Sequence, residues 1–238
     1  MNAGILGVNI RQGVNNDQAA AFHRDAKPWG SLVHDETKLI PMLQAAGSRV
    51  IWRVTGDDPD HNPLRIAPAQ FVQQRVAAAG ADKTIIYHLT NELGQSAAHD
   101  TWTLAALQEC RRKGITACLF NHYTHTTYAE WMRSESVLRE AVQAGDYIGA
   151  HVYWSGAFPA SADDPAHAFL RVRDRLGGKW MITELGWAAR RVDGQLDPNQ
   201  GWQGRISEQE YADQLGRAAG FYAQHGVPAL IFSWGVWP

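Results

Sequence analysis

Residues 83–94 read KTIIYHLTNELG, and they predict a strand over 83–92 that ends on an amide and a carboxylate, Asn91 and Glu92. A helical pattern over 68–80 precedes this strand, with proline near its start and glycine at its end. A second helical pattern follows over 100–114, with Asp100 as the expected N-cap. Helix, strand and helix in this order indicate βα units and a parallel sheet.

The same alternation runs along the whole chain. The other predicted strands cover 5–10, 29–34, 48–55, 115–123, 147–154, 179–187 and 228–237, and the other predicted helices cover 17–26, 36–47, 128–145, 163–178 and 207–226. Eight strands and seven intervening helices predict a (β/α)8 TIM barrel, a single catalytic domain over 1–238 whose final helix is missing. If 29–34 is not a strand, the alternative is a doubly wound open sheet. The longest connection without a helical pattern is 188–206, and its length favours a functional loop.

The composition argues against several classes of partner. The 238 residues are 45% hydrophobic with a net charge of −2, and the scattered lysines and arginines form no patch for nucleic acid or a membrane surface. No apolar run approaches the roughly 18 residues of a membrane span, and the start, MNAGILGVNIRQG, lacks a signal-peptide pattern. Two cysteines, Cys110 and Cys118, are too few for a disulfide scaffold and are expected to be buried thiols. Ten tryptophans favour flat platforms for sugar rings.

Two carboxylates share an unusual position. Glu92 in LTNELG and Glu184 in ITELGW each end an apolar strand, where a charge is costly unless it is paired or used. Strands four and seven lie on opposite sides of an eight-stranded barrel, so both side chains can face each other across its C-terminal mouth. Glycoside hydrolysis needs such a pair, because one group protonates the leaving oxygen while the other attacks the sugar or activates water.

Other polar and aromatic residues fall at the predicted strand ends: Arg53, Asp57, Asp58, Asn121, His122, Tyr123, His151, Tyr153, Trp154, Trp187, Ser233 and Trp234. We expect His122 and His151 to contact sugar hydroxyls and His88, in mid-strand, to be a buried layer residue. Several histidines on separate strands leave a metal-dependent barrel hydrolase as a weaker alternative. No HExxH, GxGxxG or GxSxG motif is present, and we expect neither a metal nor another cofactor.

Four short stretches, TNE, HVYW, ITELGW and FSWGVW, resemble the retaining glycosidases of clan GH-A, the "four-seven" barrel superfamily. The resemblance implies that Glu92 is the general acid/base and Glu184 the nucleophile. It also implies that Asn91 holds the hydroxyl beside the anomeric carbon, that Tyr153 supports Glu184, and that Trp234 is the platform under the sugar. The full set of expected substrate contacts is Asn91, Arg53, His122, His151, Tyr153, Trp187 and Trp234.

The chain departs from the GH-A pattern at three points. Leu93-Gly94 stands where many members have proline after Asn-Glu, Arg53 falls on strand three although the supporting arginine usually comes from strand two, and the last helix is missing. The competing hypothesis is a glycan-binding barrel without activity, of an adhesin or phage-tail type, which would lack two glutamates within attacking distance. Carbohydrate is the expected partner in both cases, and the sequence leaves the sugar, its linkage and the oligomeric state open.

Overall fold

The computed structural model describes residues 6–10, 21–22, 24–34, 37–53, 63–92, 96–122, 125–190, 196–197 and 202–232. Ten strands lie within these ranges: β1 (Leu6–Ile10), β2 (Gly30–His34), β3 (Arg49–Arg53), β4 (Ile86–His88), β5 (Thr116–His122), β6 (Tyr147–Trp154), β7 (Lys179–Trp187), β8 (Ala189–Arg190), β9 (Leu196–Asp197) and β10 (Ala229–Ile231). Eight of these strands close into a parallel barrel in the order β1-β10-β7-β6-β5-β4-β3-β2. The predicted barrel is therefore confirmed, and the open sheet is excluded because β2 pairs with both β1 and β3.

The helices with both ends described are α1 (Leu39–Ala45), α2 (Pro68–Ala78), α3 (Ala97–Lys113), α4 (Tyr128–Arg133), α5 (Glu135–Ala144), α6 (Ala168–Leu176) and α7 (Glu208–His225), with short 3-10 turns at Pro63–Arg65 and Pro165–His167. Pro41 fits in α1 because it is the third residue, where a backbone N–H has no acceptor within the helix. A membrane span needs a long apolar helix, and the described part of the chain contains none of that kind.

Two predicted features of the helices were wrong. The N-cap of α3 is Ser96, whose hydroxyl accepts a hydrogen bond from the backbone N–H of His99, while Asp100 lies inside the helix and accepts one from Ser134. The predicted helix over 128–145 is divided at Ser134 into α4 and α5. The connection after β7 contains two short strands, β8 and β9, which pair antiparallel.

The barrel interior is layered, and this layering positions the site. Its apolar layer is formed by Leu32, Ile51, Ile86, Cys118, Met181 and Leu230. Side chains two residues further along a strand point to the same face. The next inward positions of β2, β3 and β4 are therefore His34, Arg53 and His88, all buried. The interior thus changes from apolar to polar toward the C-terminal ends of the strands, where barrel enzymes place their sites.

Candidate active site

Glu92 reaches the mouth of the barrel because the chain leaves the sheet early. β4 ends at His88, so the predicted strand over 83–92 was too long, and Asn91 and Glu92 lie in a bend beyond it. Glu92 has a φ of 51°, in the left-handed region that is uncommon for residues other than glycine. Its side chain is 32% exposed, whereas Asn91 is buried and its Oδ1 has no hydrogen-bond partner among the described residues.

Glu184 faces the barrel interior because β7 contains a bulge. Ala150 of β6 pairs with Ile182, but the next residue, His151, pairs with Glu184, so β7 has one extra residue there. The register of β7 against β10 shows the same extra residue. Side chains alternate between the two faces of a strand, so a regular β7 would set Glu184 beside Val152 on the outer face. The bulge instead aligns Glu184 with His151.

Two donors hold the buried Glu184 carboxylate. Arg53 Nη1 lies 2.6 Å from Oε1, and the Tyr153 hydroxyl donates a hydrogen bond to Oε2. Burial alone raises the pKa of Glu184, but His151, Arg53 and Tyr153 together outweigh it and lower the pKa to about 2. Burial and the Glu184 charge raise the pKa of Tyr153 well above its usual value, so the phenol remains a donor. Glu184 is therefore ionised at neutral pH.

His151 lies between the two glutamates. Its Nδ1 is 2.8 Å from Glu92 Oε1 and 3.5 Å from Glu184 Oε2. One carboxylate oxygen of Glu92, one of Glu184 and this nitrogen all lie within 4.8 Å of one another. Among the described residues, these three side chains form the one group of histidine, cysteine, aspartate or glutamate with a spacing suited to a metal ion.

The structure brings together five of the predicted residues: Glu92, Glu184, Arg53, His151 and Tyr153. The position of His151 was not foreseen, since the sequence predicts a contact with sugar hydroxyls rather than with both carboxylates. Its spacing from Tyr153 was the available signal, because residues i and i+2 of a strand share a face. Arg53 lies on β3, as predicted, and contacts the proposed nucleophile directly.

Two histidines predicted near the site are buried beneath or beside it. His88 is 1% exposed, which confirms the predicted layer residue, and burial lowers its pKa well below the usual range. His122 is 4% exposed, and its ring centre lies 4.4 Å from that of Trp131, edge to face. Burial lowers the pKa of His122 to about 3, so its imidazole is neutral, and a contact with substrate stays a prediction.

Trp187 lies on the face of β7 opposite to Glu184. It pairs in register with Trp154, and it packs against the outer hydrophobic core between strands and helices. Trp154 is buried, and its Nε1 donates a hydrogen bond to Gln214 of α7. This placement gives no support to a sugar platform at Trp187.

Several residues that the sequence singles out lie outside the described ones: Asp57, Asp58, Leu93, Gly94, Tyr123, Ser233 and Trp234. The sugar platform expected at Trp234 therefore stays a prediction. Trp202, from the connection after β7, stacks on Tyr211 of α7 with ring centres 4.9 Å apart. Aromatic packing therefore anchors the end of this connection to the helix layer.

No family model and no curated protein sequence matches the chain. Several solved structures match it in fold. A mannanase catalytic domain from Streptomyces sp. SirexAA-E is 16% identical, with a TM-score of 0.60, over 98% of this chain and 76% of that one. XacCel5A in complex with cellopentaose is 13% identical, with a TM-score of 0.64, over 99% and 91%. A GH113 β-1,4-mannanase is 16% identical, with a TM-score of 0.64, over 97% and 88%.

The chain has the fold of these proteins. At such identities the similarity is one of architecture, and it extends over nearly the whole chain in all three comparisons. The resemblance to clan GH-A drawn from TNE, HVYW, ITELGW and FSWGVW agrees with it.

Proposed function

We propose that this chain is a retaining glycoside hydrolase, with Glu184 as nucleophile and Glu92 as general acid/base, built as a single catalytic domain over 1–238. The supporting observation is that oxygens of the two carboxylates lie within 4.8 Å of each other. Retaining enzymes separate their two carboxyl groups by about 5–5.5 Å, whereas inverting enzymes need about 6.5–9.5 Å to admit a water molecule. An inactive glycan-binding barrel has no need of such a pair.

The contacts of each glutamate match a different role. Glu184 is buried and ionised, and Arg53 and Tyr153 hold its two oxygens, so it is ready to attack an anomeric carbon. In the first step a Glu184 oxygen bonds to that carbon, the glycosidic bond breaks, and Glu92 gives its proton to the leaving oxygen. In the second step Glu92 takes a proton from water, whose oxygen attacks the same carbon and releases Glu184.

The surrounding residues act in support. Arg53 is buried against Glu184, so it positions the nucleophile rather than binding sugar. His151 holds Glu92 above the mouth of the barrel through its Nδ1. Asn91 has an Oδ1 without a hydrogen-bond partner among the described residues, and we assign it to a hydrogen bond from a sugar hydroxyl.

Proteins of the same fold support a proposal for the substrate class. The similar structures include a mannanase, a β-1,4-mannanase, an endo-β-1,4-glucanase and XacCel5A in complex with cellopentaose. We therefore propose a polysaccharide of β-1,4-linked hexoses, either a mannan or a glucan, as the substrate. Hydrolysis of both polymers, followed by chromatography of the released oligosaccharides, distinguishes between them.

Azide rescue tests the two assignments separately. Glu184→Ala should abolish turnover of an aryl β-glycoside, and added azide should form a glycosyl azide of inverted configuration. Glu92→Ala should retain the first step with a good leaving group, and azide should then give a glycosyl azide of retained configuration. Product configuration is assigned by proton NMR. The matched control is Glu109→Ala, which removes a buried glutamate paired with Arg112 on α3, away from the site.

Two outcomes contradict the proposal. If Glu184→Ala turns over substrate as fast as the wild-type protein, Glu184 is not the nucleophile. If the first product of the wild-type protein has the inverted configuration, the reaction is not a double displacement.

A further inference from the structure

A carboxylate oxygen of Glu92, Nδ1 of His151 and a carboxylate oxygen of Glu184 have a spacing close to that of the ligands around a metal ion. With zinc–ligand bonds of about 2.0–2.2 Å, the ligands of a tetrahedral ion lie about 3.3–3.6 Å apart. The distance of 3.5 Å between His151 Nδ1 and Glu184 Oε2 already fits. The distance of 2.8 Å between His151 Nδ1 and Glu92 Oε1 must open by about half an ångström to reach such spacing. Glu92 is the most exposed of the three side chains, so it is the one free to move.

The donor set selects the kind of ion. One imidazole nitrogen and two carboxylate oxygens suit Zn²⁺ and its transition-metal relatives. Mg²⁺ and Ca²⁺ instead take six or more oxygen ligands and have little use for an imidazole. The site therefore discriminates between these two classes of ion by ligand type.

Arg53 and Tyr153 leave a lone pair of the Glu184 carboxylate available to an ion. Arg53 binds Oε1 of Glu184, whereas the oxygen nearest to His151 is Oε2, so an ion on Oε2 need not displace the guanidinium. Tyr153 also donates to Oε2, and a carboxylate oxygen has a second lone pair for an ion. Arg53 and Tyr153 thus fix the orientation of one ligand, in the way that outer-sphere hydrogen bonds commonly orient metal ligands.

We propose that a Zn²⁺-class ion binds to Glu92, His151 and Glu184 and inhibits the enzyme. The ion takes the place of the hydrogen between His151 Nδ1 and Glu92; one proton is released to solvent, and the neutral imidazole of His151 carries its remaining proton on Nε2. With both carboxylates coordinated, Glu92 has no proton to give and the ion neutralises the charge with which Glu184 would attack. The inhibition rests on the proposed function, whereas the binding rests on the geometry of the three side chains.

Titration calorimetry on the metal-stripped protein tests the binding without any sugar. The wild-type protein should bind one Zn²⁺ through this site and show no matching event with Mg²⁺. Glu92→Gln and His151→Asn should each weaken that event by at least about tenfold, since even outer-sphere changes cost metal sites this much. The matched control is His99→Gln, which removes a partly exposed histidine of α3 outside the site and should leave the event unchanged. Circular dichroism verifies that each variant is folded.

Failure of this proposal and failure of the proposed function give different results. The metal proposal is overturned if the wild-type protein does not bind Zn²⁺, if Glu92→Gln and His151→Asn bind as tightly as wild type, or if Mg²⁺ binds equally. A protein that binds Zn²⁺ through these residues but cleaves no glycoside contradicts the proposed function alone. In an active enzyme, Zn²⁺ should inhibit hydrolysis of an aryl β-glycoside at concentrations that match the calorimetric dissociation constant.

Discussion

Replacing Arg53 by methionine tests whether its guanidinium keeps the proposed nucleophile ionised. Arg53 Nη1 lies 2.6 Å from Glu184 Oε1, and both side chains are less than a tenth exposed. Two unit charges about 4 Å apart at an effective dielectric constant of about 20 attract by about 4 kcal/mol, which corresponds to about three pKa units. Water that enters beside the shorter methionine solvates the carboxylate and offsets part of the lost attraction. We therefore expect the pKa of Glu184 to rise from about 2 by about one to three units.

Carbon NMR of protein labelled at the glutamate carboxyl carbons measures this pKa without a substrate. Glu184→Gln identifies the signal. In the wild-type protein this signal should stay that of a carboxylate to the lowest pH at which the barrel is folded, and in Arg53→Met it should titrate between about pH 3 and 5. The control is Arg49→Met, an exposed arginine on the same strand that lies over the ring of Trp29. Arg53 does not keep Glu184 ionised if the Glu184 signal of folded Arg53→Met does not move, or if Arg49→Met moves it equally.

Three further predictions follow from the same contacts. Tyr153→Phe removes a hydrogen bond to the charged Glu184, worth about 1.5–3 kcal/mol, so kcat/KM should fall by roughly 10- to 150-fold in steady-state assays. An unchanged kcat/KM would contradict a role for this hydrogen bond in catalysis. His151→Asn should slow substrates with poor leaving groups more than activated aryl glycosides, because only the former depend on proton donation by Glu92; equal losses contradict this role. The lowered pKa of Glu184 stabilises the fold above about pH 4.5 by on the order of 3 kcal/mol, and this contribution is lost as the pH falls toward 2. Urea unfolding at several pH values should therefore show that the free energy of unfolding falls less steeply with acid in Glu184→Gln than in the wild-type protein.

The sequence predicts the barrel because the features that specify it are local. Apolar runs of strand length alternate with helical patterns that start at Pro68 or Ser207 and end before glycines, and each can be recognised without its neighbours. The two glutamates were visible for the same reason, since each interrupts an apolar run near the end of a predicted strand. What these signals share is that they depend on a few consecutive residues.

The details that were wrong depend on contacts between distant elements. The residues of β4 stop pairing at His88 although the apolar pattern continues, so the strand is shorter than its sequence indicates. The end of α4 at Ser134 coincides with a hydrogen bond from its side chain to Asp100 of α3, which no local pattern announces. The positions of His151 and Trp187 depend on the pairing of β6 with β7, and only the structure gives that register.

The bulge in β7 means that the proposed nucleophile depends on the number of residues as well as their identity. Glu184 could keep its place in the motif ITELGW and still be lost from the site if β7 contained one residue fewer before it. Substitution scanning leaves the residue count unchanged and therefore cannot reveal this dependence. Relatives with a single-residue insertion or deletion in β7 are therefore expected to include barrels that bind sugar but no longer hydrolyse it.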